Sequence, residues 1–163
     1  MTPSDPVYRV LFVCTGNTCR SPMAAGALRH LLGPDVERIA VESAGTAAWE
    51  GQPATEASVE VAERAGVDLT AHRSRRVTPA MVQAADLILV MERGHLGAVR
   101  SLGGAAERTH VLSEWLESGE PALPVSDPYG ASIEAYEECW RRITHHLERV
   151  VPHLREASRA RSA

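Results

Sequence analysis

The hydrophobic pattern divides the chain into short aliphatic runs separated by amphipathic stretches. Val7–Val13 has the composition of a buried strand and stops at a glycine-containing turn. Pro22–Leu32 carries helical periodicity. Ser21 suits its N-cap, Pro22 the first helical position, and Gly33-Pro34 ends it. Arg38–Glu42 is a second strand candidate that runs into Ser43-Ala44-Gly45-Thr46. Pro53–Ala65 predicts a helix stopped by Gly66, and Thr70–Val77 a polar, arginine-rich loop; Thr78 caps a short helix beginning at Pro79. Asp86–Met91 is the clearest buried strand. Arg93–Leu102 reads as a helix broken by Gly103-Gly104, and His110–Leu112 as a short strand. Ser118–Gly130 is a Pro- and Gly-rich loop, followed by a long amphipathic helix from Ser132 to about His153. The two ends, 1–6 and 155–163, are expected to be flexible.

Strands alternating with helices imply an α/β fold: a parallel sheet with helices on both faces and the loops leaving the strands gathered on one edge. Ligands bind such folds at the carboxyl ends of the strands, where Cys14 lies. The Ser118–Gly130 loop is long enough to be functional rather than a mere connection. With 163 residues, no internal repeat and no linker, the expectation is a single domain over 1–163. A hydrophobic fraction of 44% and a charged fraction of 23% are ordinary for a soluble protein. The formal net charge of −4 gives no reason to expect nucleic acid or an acidic membrane surface as a partner. Every basic side chain is arginine, which a coding bias explains most simply. No apolar stretch approaches the ~18 residues of a membrane span. Met1–Pro6 lacks the basic and apolar regions of a secretory leader, so the chain is expected to be cytoplasmic. Three cysteines do not read as a secreted disulfide framework.

The chemistry gathers between Val10 and Pro22, where a strand ends in Cys14 and a helix opens after Arg20. The thiolate is the nucleophilic form of cysteine, and both the helix N-terminus and the Arg20 guanidinium would lower the Cys14 pKa. Backbone amides from Thr15 to Arg20 can converge on an anion, with Gly16 and Asn17 the residues most tolerant of the angles such a nest needs. Arg20 offers a planar fork for two phosphoryl oxygens. The Gly-Lys-Ser/Thr element of a nucleotide-binding loop is missing, and four residues intervene between Cys14 and Cys19 rather than the two of a thioredoxin-type site.

The segment Cys14-Thr15-Gly16-Asn17-Thr18-Cys19-Arg20-Ser21-Pro22 resembles the signature loop of the low-molecular-weight protein tyrosine phosphatase family. Ser43–Thr46, Ala85–Met91 and Asp127-Pro128-Tyr129-Gly130 resemble further blocks of that family, so the likeness covers nearly the whole chain. It implies a three-layer α/β/α sandwich around a four-stranded parallel sheet of order 2-1-3-4, with the phosphate-binding loop after strand 1. It also implies hydrolysis through a cysteinyl-phosphate without metal or cofactor, by a monomer acting on a phosphorylated protein. Asp127 matches the general acid that protonates the leaving group. Asn17 would hold the loop through hydrogen bonds involving Ser21, Ser43 and His72, and Ser21 could also donate to the Cys14 sulfur. Trp49 and Tyr129 match the aromatic walls of the cleft. Gly130 stands where eukaryotic-type members carry a second tyrosine.

Thr18 is the informative departure, because tyrosine-directed relatives carry a bulkier aliphatic residue there. A phosphoarginine substrate brings guanidinium N–H donors, and leaving such groups unpaired costs about 1–3 kcal/mol. Thr18 and Asp127 could pair them, and Thr15 makes the loop more polar still. The loop thus resembles the protein arginine phosphatases of the same family, with a tyrosine phosphatase as the alternative. Cys19 could form a reversible disulfide with Cys14 or simply fill the first helical turn. Arsenate reductases share the fold but the thioredoxin-coupled type needs a distal cysteine pair, and only Cys139 is available, in a helix. A non-catalytic phosphate-binding module is a further rival, opposed by intact Cys14, Arg20 and Asp127. His145, His146 and His153 do not share one helix face and read as surface or partly buried residues, not metal ligands.

Overall fold

A computed structural model of the protein describes residues 7–115 and 123–162. The elements run β1 (Tyr8–Cys14), α1 (Arg20–Leu32), a 3-10 turn (Gly33–Glu37), β2 (Ile39–Gly45), α2 (Glu56–Arg64), α3 (Pro79–Ala84), β3 (Leu87–Val90), α4 (Gly94–Ser101), a 3-10 turn (Ala106–Arg108), β4 (Thr109–Val111), α5 (Leu112–Trp115) and α6 (Ile133–Ser162). The strands form one parallel sheet in the order β2-β1-β3-β4. Residues 1–6 and the first part of the Ser118–Gly130 loop lie outside the described residues.

The period of two along β1 explains the layers. Val10, Phe12 and Cys14 join a core with α1, α2 and α6, while Leu11 and Val13 join a second core with α3 and α4 on the opposite face. Both faces of β1 and β3 are therefore buried, which is why these strands read as continuous aliphatic runs. Phe12 is fully buried, and its truncation to alanine should cost about 3–5 kcal/mol.

Three expectations differ from what the fold contains. β2 does not stop at Glu42: Ser43, Ala44 and Gly45 continue it, pairing with Phe12, Val13 and Cys14. Helix α1 begins at Arg20 with Cys19 in the cap position, so Ser21 lies inside the first turn and does not cap it. Helix α6 does not end near His153 but continues to Ser162. Leu154 and Ser158 are buried along it, Arg155 bonds Asp35 at 2.8 Å, and Arg161 bonds Asp86 at 2.6 Å and the Val7 carbonyl at 3.1 Å. These anchors hold residues that composition alone marked as a frayed end. No helix among the described residues is long and apolar enough to cross a membrane.

Candidate active site

The first loop leaves β1 and enters α1 in five residues, and its backbone is shaped by Asn17, the sole non-glycine residue with positive φ (55°) among those described. Asparagine tolerates this left-handed conformation better than most residues. Its fully buried side chain uses every hydrogen-bonding group. Nδ2 donates to Ser21 Oγ at 2.8 Å and Ser43 Oγ at 3.0 Å, while Oδ1 accepts the Arg75 N–H at 3.0 Å. The Asn17 carbonyl accepts His72 Nε2–H at 2.7 Å. Burial and the nearby arginines at 29, 75 and 73 disfavour a charge on His72, against the pull of that carbonyl. The structure thus brings Asn17, Ser21, Ser43 and His72 together.

Gly45 permits the close approach of β2 to this loop. A Cβ there would lie 2.4 Å from the Thr15 carbonyl oxygen and 3.0 Å from the Asn17 nitrogen. In its absence, the Thr46 and Ala47 amides donate to the carbonyls of Cys14 and Thr15 at 2.9 and 3.0 Å. The sheet is in effect extended past the last residue of β1.

Cys14 Sγ sits under the loop. Ser21 Oγ lies 2.9 Å from it and the Asn17 amide donates to it at 3.2 Å. Ser21 Oγ accepts from Asn17 Nδ2 and keeps its own proton, which it gives to the sulfur when Cys14 is a thiolate and has none to offer. Burial pushes the Cys14 thiol up, and the Ser21 hydroxyl and amide, the Asn17 amide and Arg20 pull it down without overcoming burial. The net direction is opposite to the expected lowering, because the sulfur is almost wholly removed from water. Among the described residues, no acceptor takes the amides of Gly16, Thr18 and Cys19. Cys19 Sγ is turned away, 3.4 Å from the Tyr136 hydroxyl and 3.6 Å from Thr55 Oγ1. Cys14, Cys19 and Cys139 are all free thiols; Cys139 lies in the core, where burial pushes its pKa up to about 12.

Arg20 is buried, and its orientation comes from a residue the motif does not contain. Glu92, just beyond β3, accepts from Nη1 at 2.7 Å, and the same nitrogen donates to the Val125 carbonyl at 3.2 Å. Nη2 lies 3.7 Å from Asp127 Oδ2. The Asp127 side chain is 48% exposed, and its Oδ1 accepts the Tyr129 N–H at 3.1 Å. The segment before it is held by its carbonyls. That of Leu123 accepts His146 Nε2–H at 2.7 Å and that of Pro124 accepts Arg142 Nη1–H at 2.9 Å. His146 is therefore a buried structural residue, not a surface one.

These elements surround a cleft of about 370 Å³ lined by Cys14, Thr15, Gly16, Thr18, Cys19, Arg20, Ala47, Trp49, Gln52, Asp127 and Tyr129. Trp49 and Tyr129 are 80% and 71% exposed, at its rim. The Trp49 segment is strapped down by Ser74, whose hydroxyl donates to the Trp49 carbonyl and whose backbone pairs with Gly51 and Gln52. Sequence reasoning missed Glu92, Gln52 and His95. None belongs to a local pattern, and each reaches the site only through the fold. Among the described residues, no group of acidic, histidine and cysteine side chains could hold a metal ion.

Residues 9–160 match the family described as low molecular weight phosphotyrosine protein phosphatase. The low molecular weight protein-tyrosine phosphatase A of Mycobacterium bovis is 42% identical over 141 residues, covering 83% of each chain. A protein-arginine-phosphatase of Geobacillus stearothermophilus is 37% identical over 150 residues, covering 91% of this chain and 95% of its own. The solved structure of the arginine phosphatase from Geobacillus stearothermophilus superposes with a TM-score of 0.81 at 34% identity, covering 92% of this chain and 94% of that one. The chain belongs to the low molecular weight phosphotyrosine protein phosphatase family.

Proposed function

We propose that this member of the low molecular weight phosphatase family hydrolyses phosphoarginine in proteins. In the first step the Cys14 thiolate attacks phosphorus and the P–N bond breaks. Its electron pair goes to the guanidine nitrogen, which takes a proton from Asp127. The Arg20 fork and the unengaged loop amides stabilise the charge on the non-bridging oxygens. In the second step water attacks the cysteinyl-phosphate, Asp127 takes its proton, and the P–S pair returns to Cys14 as the Ser21 hydroxyl donates to the sulfur. Asn17, Ser43 and His72 hold the loop in the shape this requires.

The observation that carries the substrate reading is Thr18, half-buried in the wall of the cleft that also holds Asp127. A hydroxyl there gives a guanidinium a polar neighbour, where a branched aliphatic group would leave its N–H donors unpaired. The arginine phosphatase relatives lend support at the level of the family. A tyrosine phosphatase is the second reading, favoured by the exposed rings of Trp49 and Tyr129 at the cleft rim and by the relative from Mycobacterium bovis. The test is kcat/KM on phosphoarginine and phosphotyrosine peptides of one sequence, for the wild type and Thr18→Ile. The arginine reading expects a preference for phosphoarginine that Thr18→Ile shifts toward phosphotyrosine. A wild-type preference for phosphotyrosine overturns it.

A further inference from the structure

His95 is a buried histidine outside the family motif, in the first turn of α4, and both of its ring nitrogens are engaged. Nδ1 accepts the main-chain N–H of Glu92 at 3.1 Å. Nε2 lies 2.9 Å from Thr15 Oγ1, a side chain of the first loop that is 80 residues away in sequence and lines the cleft. The ring thus bridges the loop that holds the phosphoryl group and the turn that carries Glu92, the carboxylate gripping Arg20.

The partners decide where the proton sits. An amide nitrogen can only donate, so Nδ1 must present its lone pair to Glu92. A neutral ring then carries its hydrogen on Nε2 and donates it to Thr15 Oγ1. The Thr15 oxygen becomes an acceptor on that side, and among the described residues no acceptor takes its own proton. That proton is available to a ligand in the cleft.

We propose that His95 is a positioning residue. It clasps the phosphate loop to the Glu92 turn and turns the Thr15 hydroxyl into a donor toward the bound substrate. This rests on the phosphatase reading above. Adding a second proton to the ring would set Nδ1–H against the Glu92 N–H and open the clasp. The charged groups facing the ring are Arg20 from α1, Glu92 from its own turn and Asp127 from the acid loop. Burial first, and Arg20 next, hold His95 below the ordinary histidine range, which favours the neutral form.

Two measurements test this. Long-range 15N–1H correlation spectra of the wild-type protein should show His95 as the Nε2–H tautomer, titrating below about 6.5. An Nδ1–H tautomer, or a ring that is charged at pH 7, overturns the proposal. The second is a kinetic cycle. His95→Asn places its amide near the Nδ1 position but is too short to reach Thr15, whereas His95→Gln places a donor near the Nε2 position. His95→Asn and Thr15→Val should each lower kcat/KM by roughly tenfold, as a lost charge-free hydrogen bond in a catalytic site would. The double variant should be no slower than the worse single one, and His95→Gln should keep most of the activity on the Thr15 background alone. Multiplying losses in the double variant overturn the clasp. Failure of the phosphatase reading is seen separately: it would leave the wild type without turnover while the spectrum still reports the tautomer.

Discussion

The two loops that face each other across the cleft are held in opposite ways. The phosphate loop is locked by side chains: Asn17 fills a buried network with Ser21, Ser43 and the Arg75 amide, and its carbonyl is tied to His72. The acid loop is held by its backbone: the carbonyls of Leu123, Pro124 and Val125 accept from His146, Arg142 and Arg20, while Asp127 and Tyr129 stand exposed. The contrast follows the chemistry. Every substrate presents the same tetrahedral oxyanion to the first loop, so a rigid cradle is suited to it. The second loop meets the part of the substrate that varies, and a pinned backbone with free side chains lets it adapt.

Substitutions that break one side of this contrast should leave the other standing. The largest effect is expected for Gly45→Ala, which drives a methyl group against the Thr15 carbonyl and displaces the phosphate loop. A displacement on the order of 1 Å costs about 10²-fold or more in rate, and oxyanion affinity should fall with it. Aryl phosphate turnover together with the inhibition constant for tungstate would show both losses. Asp127→Asn should come next: it spares the phosphate loop, lowering kcat on a phosphorylated peptide by roughly 10²-fold, the low end for a general acid, with little change in tungstate affinity. Ser21→Ala removes the hydroxyl that draws the Cys14 thiol down. The thiol pKa should rise further, so that the midpoint for alkylation by iodoacetamide moves to higher pH and the rate at pH 7 falls. Arg142→Ala, which frees the Pro124 carbonyl and breaks a partly exposed ion pair with Glu138 in the preceding turn of α6, should lower kcat a few-fold and leave tungstate affinity unchanged. An equal loss of tungstate affinity in this variant would mean that the two loops are not held separately.

The legible parts of the molecule are those where local pattern and tertiary role agree. Val10–Val13 and Leu87–Val90 announce buried strands because both their faces are covered, and Thr78 caps α3 through the Met81 amide as its position suggests. The Cys14–Arg20 segment gives away the family because its residues are contiguous in the chain, although Ser43, His72 and Arg75 from distant segments hold its shape. Ser21 is legible in part: it sits against the Cys14 sulfur as the resemblance implies, but the cap position goes to Cys19, because a serine before a proline has the same signature at either place. Glu92 and His95 had no local signature, since they earn their contacts 72 and 80 residues away. The end of α6 is illegible for a related reason. Arg155 and Arg161 look like solvated surface charge until the fold supplies Asp35 and Asp86.

Helix α6 also bears on how the chain acquires its shape during synthesis. Arg161, near the far end of the helix, reaches Asp86 and the carbonyl of Val7, while Asp86 accepts from the amide of Arg9 at the start of β1. Leu147, Val150 and Leu154 close the apolar layer over Val10 and Phe12. A nascent polypeptide emerging from the ribosome thus carries Cys14 and the central strand long before the helix that covers that face has been made. Long-range closure of this kind slows folding and leaves hydrophobic surface open meanwhile. Molecules stalled before the final turns of α6 would therefore be expected to appear as chaperone clients, not as smaller working enzymes.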